Sequence, residues 1–160
     1  MTRHTPDGTG ATVAEVTTAA DGSFTLTDTP PVGGTVTYKA VWDGSQDARW
    51  SSASATTEVA RRPATLTLTG QQTGSVGKEL RFRGTLEGDR LRPEGAALSV
   101  ERTWTDNSTT RPLPSVTVDE NGSFDFVHTV GAGGLYRFTV TWPGNGVYQP
   151  AQAGHEVRVS

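Results

Sequence analysis

GGLYRFTVTWPGNGVYQP, residues Gly133–Pro150, is the stretch that decides the fold. From Tyr136 to Trp142 every second residue is large and apolar or aromatic, and mainly Arg and Thr lie between them. This period of two predicts a half-buried β-strand with its bulky side chains turned inward. The Pro-Gly-Asn-Gly cluster that follows favours a turn, so we expect the strand to end at Trp142.

The same pattern occurs one hundred residues earlier, in GGTVTYKAVWDGSQDARW, Gly33–Trp50. Here the inward-facing positions are occupied by Val36, Tyr38, Ala40 and Trp42, and the two copies align without a gap. A repeat of this length is too long for a solenoid unit of roughly 20–50 residues. It matches an immunoglobulin-like sandwich of about 100 residues. The predicted fold class is therefore all-β, with immunoglobulin-like antiparallel β-sandwich units.

The composition gives no indication of nucleic-acid binding, membrane insertion or cysteine chemistry. The chain has 160 residues, 33% of them apolar, with 19 Gly and 9 Pro and a formal net charge of −3. This charge gives no general electrostatic attraction to nucleic acid or to an anionic membrane. No apolar run approaches the roughly 18 residues of a membrane span. Because the chain has no cysteine, a disulfide framework and a thiolate metal site are both excluded.

Residues 63–160 are predicted to form a complete seven-strand domain. Turn signals every 8–12 residues between short alternating segments are typical of a sandwich. TDNSTTRPLP, residues 105–114, is interpreted as a long polar loop. The Asn121-Gly122 pair predicts a hairpin between Val116–Val118 and Phe124–Phe126, because both residues tolerate positive φ. The predicted strands cover Thr65–Thr69, Leu80–Leu86, Leu98–Trp104, Val116–Val118, Phe124–Phe126, Leu135–Trp142 and Val157–Val159.

Residues 1–62 are predicted to be an incomplete copy that corresponds to the C-terminal half of a repeat. By the offset of one hundred, Met1 aligns with Glu101, inside the third strand of the complete copy. We expect strands at Thr12–Thr18, Ser23–Thr27, Thr35–Trp42 and Ala53–Val59. A sandwich without its first strands exposes backbone edges and an apolar face. Two sources could supply these strands: a preceding segment of a longer tandem array, or another chain in a strand-exchange homo-oligomer.

One motif resembles a known family. Phe138-Thr-Val-Thr-Trp142-Pro-Gly-Asn-Gly-Val-Tyr148, preceded by the Asn121–Phe124 turn, is similar to the bacterial immunoglobulin-like repeats of secreted and cell-surface proteins, often actinobacterial. The first copy departs from the motif at Asp43 and Ala48. The resemblance implies an extracellular, non-enzymatic spacer, stalk or adhesion module whose partners are neighbouring modules of the parent chain.

No constellation of residues indicates catalysis, a cofactor or a metal. The three histidines, His4, His128 and His155, lack metal-ligand spacing. No Gly-x-Ser-x-Gly elbow occurs. The arginines are interpreted as a solvated basic face: Arg61, Arg62, Arg81, Arg83, Arg102 and Arg137. We therefore expect no catalytic residue, no cofactor and no metal ligand.

Two tryptophans are the candidate ligand contacts. Trp42 and Trp142 are in register with inward residues and are predicted to be core, whereas Trp50 and Trp104 lie at loop edges. Exposed aromatic rings can stack on sugars, although large aromatics usually find cover at a rim. The alternative function is thus a carbohydrate- or protein-binding module that uses Trp50, Trp104 and the loop at residues 105–114.

Overall fold

The computed structural model describes all residues from Met1 to Ser160 and divides into two units. Unit 1 is Met1–Arg61 and unit 2 is Arg62–Ser160. The division lies next to the expected boundary between residues 62 and 63. Strands dominate both units, and the only helical element is a single 3₁₀ turn at Thr105–Asn107. No helix is long and apolar enough to cross a membrane.

Unit 1 contains a single antiparallel sheet of four strands in the order β2-β1-β3-β4. Two short strands pair with each other at one side, and two long strands form a hairpin at the other. The strands are β1 (Thr2–His4), β2 (Gly10–Thr12), β3 (Gly34–Trp42) and β4 (Ser51–Val59).

Unit 2 is a sandwich of two sheets, which confirms the predicted fold class. One sheet has the order β10-β9-β12-β13-β7; the other has the order β11-β8-β5, with β6 also paired to β8. All pairings are antiparallel except that of β13 with β7. The strands are β5 (Thr65–Leu66), β6 (Thr69–Gly70), β7 (Thr73–Gly74), β8 (Glu79–Glu87), β9 (Ala97–Trp104), β10 (Thr109–Thr117), β11 (Ser123–Thr129), β12 (Gly134–Trp142) and β13 (Ala151–Val159).

The core of unit 2 lies between the two sheets. The Phe82 ring of β8 is 4.3 Å from the Phe138 ring of β12 and 4.8 Å from Phe126 of β11. The inward row predicted for β12 is confirmed, because Tyr136, Phe138, Val140 and Trp142 are all at most 5% exposed. Burial of such side chains from both sheets is the main stabilising contribution to this unit.

The two long hairpins have the same register. In unit 1 the pairs run from Gly34 with Val59 to Trp42 with Ser51, and in unit 2 the equivalent pairs are each one hundred residues higher. Before Gly10 the gapless alignment is wrong by one residue. Arg3 pairs with Tyr38 as Arg102 pairs with Phe138, an offset of ninety-nine. The turn between β1 and β2 is therefore one residue shorter than its counterpart.

The prediction that Trp42 lies in a core is wrong. Trp42 is 48% exposed, whereas Trp142, at the same register position, is 5% exposed. Val36, at the other end of β3, is fully buried. The difference follows from the sheets, because unit 1 has no second sheet to cover the Trp42 end of β3.

The predicted strands between residues 13 and 33 of unit 1 are also wrong. This segment contains a turn at residues 20–22 but no strand, and Phe24 is 44% exposed. In unit 2 the equivalent strand β11 pairs along its whole length with β8. Unit 1 has no counterpart of β8, so the backbone of residues 23–29 has no strand to pair with.

Unit 2 has nine strands where seven were predicted, because Thr65–Thr69 is divided into β5 and β6 and because β7 was not predicted. Two further details differ. Much of the expected polar loop is strand β10, which includes Pro112 and Pro114. It is an edge strand with an irregularity in its register, a place where proline costs no ladder hydrogen bond on the open side. The Asn121-Gly122 turn joins β10 and β11, which lie in different sheets, so it is not a hairpin.

Replacing the two equivalent tryptophans tests this difference in burial. We expect Trp142→Ala to lower the free energy of unfolding of unit 2 by about 3–5 kcal/mol, since it leaves a cavity in the core. Trp42→Ala should cost unit 1 less than about 1 kcal/mol, because nearly half of its surface is already in water. Urea unfolding of the full chain, followed by amide signals from each unit, measures both. Equal losses would contradict the assigned burial.

Candidate functional site

A cleft in unit 2 has several of its polar groups already paired with each other or with the backbone. It has a volume of about 670 Å³ and lies between β8, β10 and β11. Thr67 and Thr85 hydrogen-bond each other through their hydroxyls at 2.9 Å. Asp119 accepts hydrogen bonds from the backbone N–H groups of Asn121 and Ser123. These groups stabilise turns and strands; Asp125, which also lines the cleft, is exposed and forms no ion pair.

A smaller cavity has a different character, since it is lined by arginine and aromatic side chains. Its volume is about 290 Å³, near the lower end for small-ligand pockets. Strand β9 alternates Leu98, Val100, Arg102 and Trp104 on its inward face, so the pattern turns from apolar to polar toward one end. The cavity lies at that end. Its lining consists of Arg102, Trp104, Asn107, Thr109, Arg111, Gly131, Ala132 and Tyr136.

Arg102 is half-buried in this cavity and is short of hydrogen-bond acceptors. Its Nη1 donates to His128 Nε2 at 3.1 Å, and its guanidinium carbon lies 5.5 Å from the centre of the Tyr136 ring. Its Nε is buried without an acceptor, and no carboxylate pairs with the side chain. Buried donors are nearly always paired in native proteins. The predicted assignment of Arg102 to a solvated face is therefore wrong.

His128 accepts from Arg102 as a neutral imidazole. Burial, and then the positive charge of Arg102, lower the pKa of His128 below its ordinary value. The ring also meets Phe138 edge-on, with centroids 5.7 Å apart. A neutral histidine offers Arg102 a lone pair but no negative charge, so the cavity keeps its positive charge.

The aromatic wall of the cavity is held from two sides. Trp104 stacks on Tyr136 with centroids 5.7 Å apart, and its Nε1 donates to Asp106 Oδ2 at 3.2 Å. Asp106 also accepts from the backbone N–H of Leu135 at 3.1 Å. A Cβ at Gly134 would lie 2.4 Å from Trp104 Nε1, so this position needs glycine. These contacts fix the Trp104 ring at the rim.

A second arginine lies beside Arg102. Arg111 on β10 is directly opposite Arg102 in the ladder and lines the same cavity. It is exposed and has no ion-pair partner. Like charges directly opposite each other on neighbouring strands destabilise the pair unless an anion lies between or near them. The cavity therefore concentrates positive charge.

In unit 1 the equivalent arginine is neutralised by a carboxylate. Arg3, the counterpart of Arg102, pairs with both oxygens of Asp28 at 2.9 and 2.6 Å, and Asp28 stands where unit 2 has His128. Tyr38 Oη donates to Asp28 Oδ2 at 2.8 Å. The hydrogen bond from Arg3, and then that from Tyr38, lower the pKa of Asp28 against the opposing effect of burial. Burial and Asp28 together raise the pKa of Tyr38.

The two predicted ligand-contact tryptophans lie in different units. Trp50 of unit 1 is 69% exposed, and no ring contact holds it. Trp104 of unit 2 is half-buried and lines the arginine cavity. The sequence pattern did not single out Arg111, His128 or Tyr136 as parts of one site. The sequence feature that could have identified this site is the position of Arg102 in the inward-facing row of β9. A charged residue in a row of apolar residues indicates a special environment.

No group of three or more His, Asp or Glu side chains is arranged to hold a metal ion. No family model and no curated protein matches the chain. Among solved structures, it is similar to the CARDB domain of the PF1109 protein from Pyrococcus furiosus, determined in complex with di-metal ions. The identity is 16% and the TM-score 0.40, over 64% of this chain and 97% of that chain.

The hydrogen bonds that Asp28 accepts from Arg3 and Tyr38 predict how the stability of unit 1 changes in acid. Since the pKa of Asp28 is lowered on folding, its contribution is present above the ordinary range of an aspartate and is lost as the pH falls through the lowered value. Asp28→Asn should therefore destabilise unit 1 at pH 7 and flatten its loss of stability between about pH 5 and pH 2. Thermal unfolding of the full chain across this range measures the effect. Asp43→Asn, at an exposed position, is the control; an identical response of both variants would contradict the prediction.

Proposed function

We propose that the chain is a pair of non-catalytic structural modules from a larger secreted or cell-surface protein, with a spacer or adhesion role. The observation that carries this proposal is the repeated β3–β4 and β12–β13 hairpin, built twice at one register. A chain that repeats one sandwich unit sets the distance between its ends through the number of units. Its partners are the neighbouring modules of the same parent chain.

The terminal strands of unit 2 suit this role. The early strand β7 runs parallel to the last strand, β13. Three backbone hydrogen bonds join this region to the end of the chain: Arg158 N to Gln72 O, Ser160 N to Gly74 O, and Val76 N to Ser160 O. Force applied at the two ends of unit 2 loads these bonds together, in shear, because parallel strands are pulled in opposite directions along their length.

Pulling in two geometries tests the mechanical role. Because the chain has no cysteine, cysteines at residues 62 and 160 give unique handles for single-molecule stretching. We expect unit 2 to unfold in one step that releases roughly 300 Å of chain. The control uses handles at Gly131, where an added Cβ meets nothing, and at Ser160; it opens the β12–β13 pair one bond at a time. An equal or lower force at 62 and 160 would contradict a mechanical role.

A second proposal concerns unit 1, which we infer is completed by added strands equivalent to β5–β8. The backbone of residues 23–29 has no partner strand, and the side chains of Phe24 and Trp42 are exposed. In unit 2, β11 pairs with β8, and Phe124 lies over Gly84. A Cβ at Gly84 would be 2.3 Å from Phe124 Cζ, so the strand that pairs here needs glycine opposite the ring. The source is a preceding segment of a longer chain or another copy.

A peptide with the sequence of residues 64–87, which carries β5–β8, tests this completion. Added to the full chain, it should protect the amides of residues 23–29 from hydrogen exchange, since they gain β-ladder partners. The same peptide with Gly84→Val should protect them at least about tenfold less, because its side chain clashes with Phe24. Light scattering of the chain alone distinguishes the sources, since exchange between copies requires dimers. Absence of protection at saturating peptide would refute the proposal.

A further inference from the structure

The arginine cavity of unit 2 lacks a negative charge that unit 1 contains. At the equivalent position, Arg3 has the carboxylate of Asp28 and Arg102 has the neutral ring of His128. Both arginines are inward-facing residues on the counterpart strands, β1 and β9. A half-buried guanidinium is stabilised by a paired carboxylate, and an unpaired one keeps the cost of its lost hydration. No carboxylate of the protein therefore neutralises the half-buried charge of Arg102 in unit 2.

The residues around Arg102 indicate which class of ligand carries the carboxylate that would neutralise it. Arg111 adds a second positive charge from the neighbouring strand, and the Trp104 ring forms one wall. Asn107 accepts from the backbone N–H of Thr109 through Oδ1, which leaves its amide N–H groups for a ligand. A flat apolar wall, amide donors and a cavity of about 290 Å³ suit one sugar ring better than an extended peptide.

We propose that the cavity of unit 2 binds an acidic sugar, with the carboxylate of a hexuronate between Arg102 and Arg111 and the sugar ring against Trp104. The carboxylate completes for Arg102 the ion pair that Asp28 completes for Arg3. This proposal goes beyond the spacer role and does not depend on it. Unit 1 has no equivalent site, because its arginine is already paired and Ala11 stands where unit 2 has Arg111.

Titration of the full chain with glucuronate, followed by NMR, tests the proposal. The imidazole signals of His128 and the indole N–H of Trp104 report on the site, and the indole N–H groups of Trp42 and Trp50 report on unit 1. We expect saturable shifts at His128 and Trp104 and none at Trp42 or Trp50. Binding should raise the pKa of His128, because the carboxylate offsets the charge of Arg102.

Two pairs of variants test whether binding depends on the positive charges of Arg102 and Arg111. Arg111→Ala should weaken binding about ten- to hundredfold, as expected for a lost charge-assisted hydrogen bond, whereas Arg158→Ala changes the net charge equally and should have no effect. His128→Asp builds the unit 1 ion pair into unit 2 and should abolish binding. His128→Asn adds no charge and should weaken binding far less than His128→Asp does. If His128→Asp does not fold, the arginine pair still decides the question.

Three ligands separate the parts of the proposal. Glucose has the ring without the charge, and acetate has the charge without the ring. Both should bind at least about tenfold more weakly than glucuronate. Acetate binding as tightly as glucuronate would overturn the sugar assignment. Absence of shifts with glucuronate, or equal binding by the Arg111→Ala and Arg158→Ala variants, would overturn the site.

Discussion

A sheet with large side chains on one face is stable only when a second sheet covers that face, and this constraint governs both units. In unit 2, Phe82 packs against Phe126 and Phe138, and Gly84 on the same face of β8 leaves room for the Phe124 ring of the neighbouring strand β11. A Cβ there would lie 2.1 Å from Thr67 O. The burial of the inward row, the closure of the sandwich and the placing of the cavity at its rim all follow from that covering. Unit 1 has the same hairpin at the same register without the cover, and there Trp42 remains in water.

The two units also differ in how they neutralise one inward arginine. In unit 1 a carboxylate and a tyrosine hydroxyl surround the charge, so that Arg3, Asp28 and Tyr38 form a self-contained network. In unit 2 a histidine and a phenylalanine take the corresponding places, and the charge stays uncompensated. A fully paired polar network stabilises its surroundings, whereas a partly paired one indicates a functional role. The two copies thus differ in chemistry through three replacements, His128 for Asp28, Phe138 for Tyr38 and Arg111 for Ala11, while the strand pairing around the arginine stays the same.

Strands β3 and β12 were predictable from sequence, because the alternation of large and small residues after turn glycines depends on local geometry alone, whereas only Val157–Val159 of β13 was predicted. The repeat and the sandwich class followed from the same signal. The predictions that were wrong concern residues whose structure depends on strands that are distant in sequence. The segment around Phe24 has a strand-like sequence but no strand to pair with, and Pro112 lies in a strand because that strand is at an edge. The arginine cavity was missed for the same reason, since residues from β9, β10, β11 and β12 meet there only after the sheets have formed.

Strand β4 of unit 1 has a further consequence. It pairs with β3 over nine residues, and its other side is open, whereas its counterpart β13 has β7 beside it. Natural edge strands are protected by charged side chains, proline or bulges, and SSASATTEV has only the single charge of Glu58 near its end. An open ladder of this length is a template on which identical strands from other molecules can add side by side. If copies of the chain associate edge to edge in concentrated solution, we expect this small-residue strand to be where they add, although its side chains are not hydrophobic.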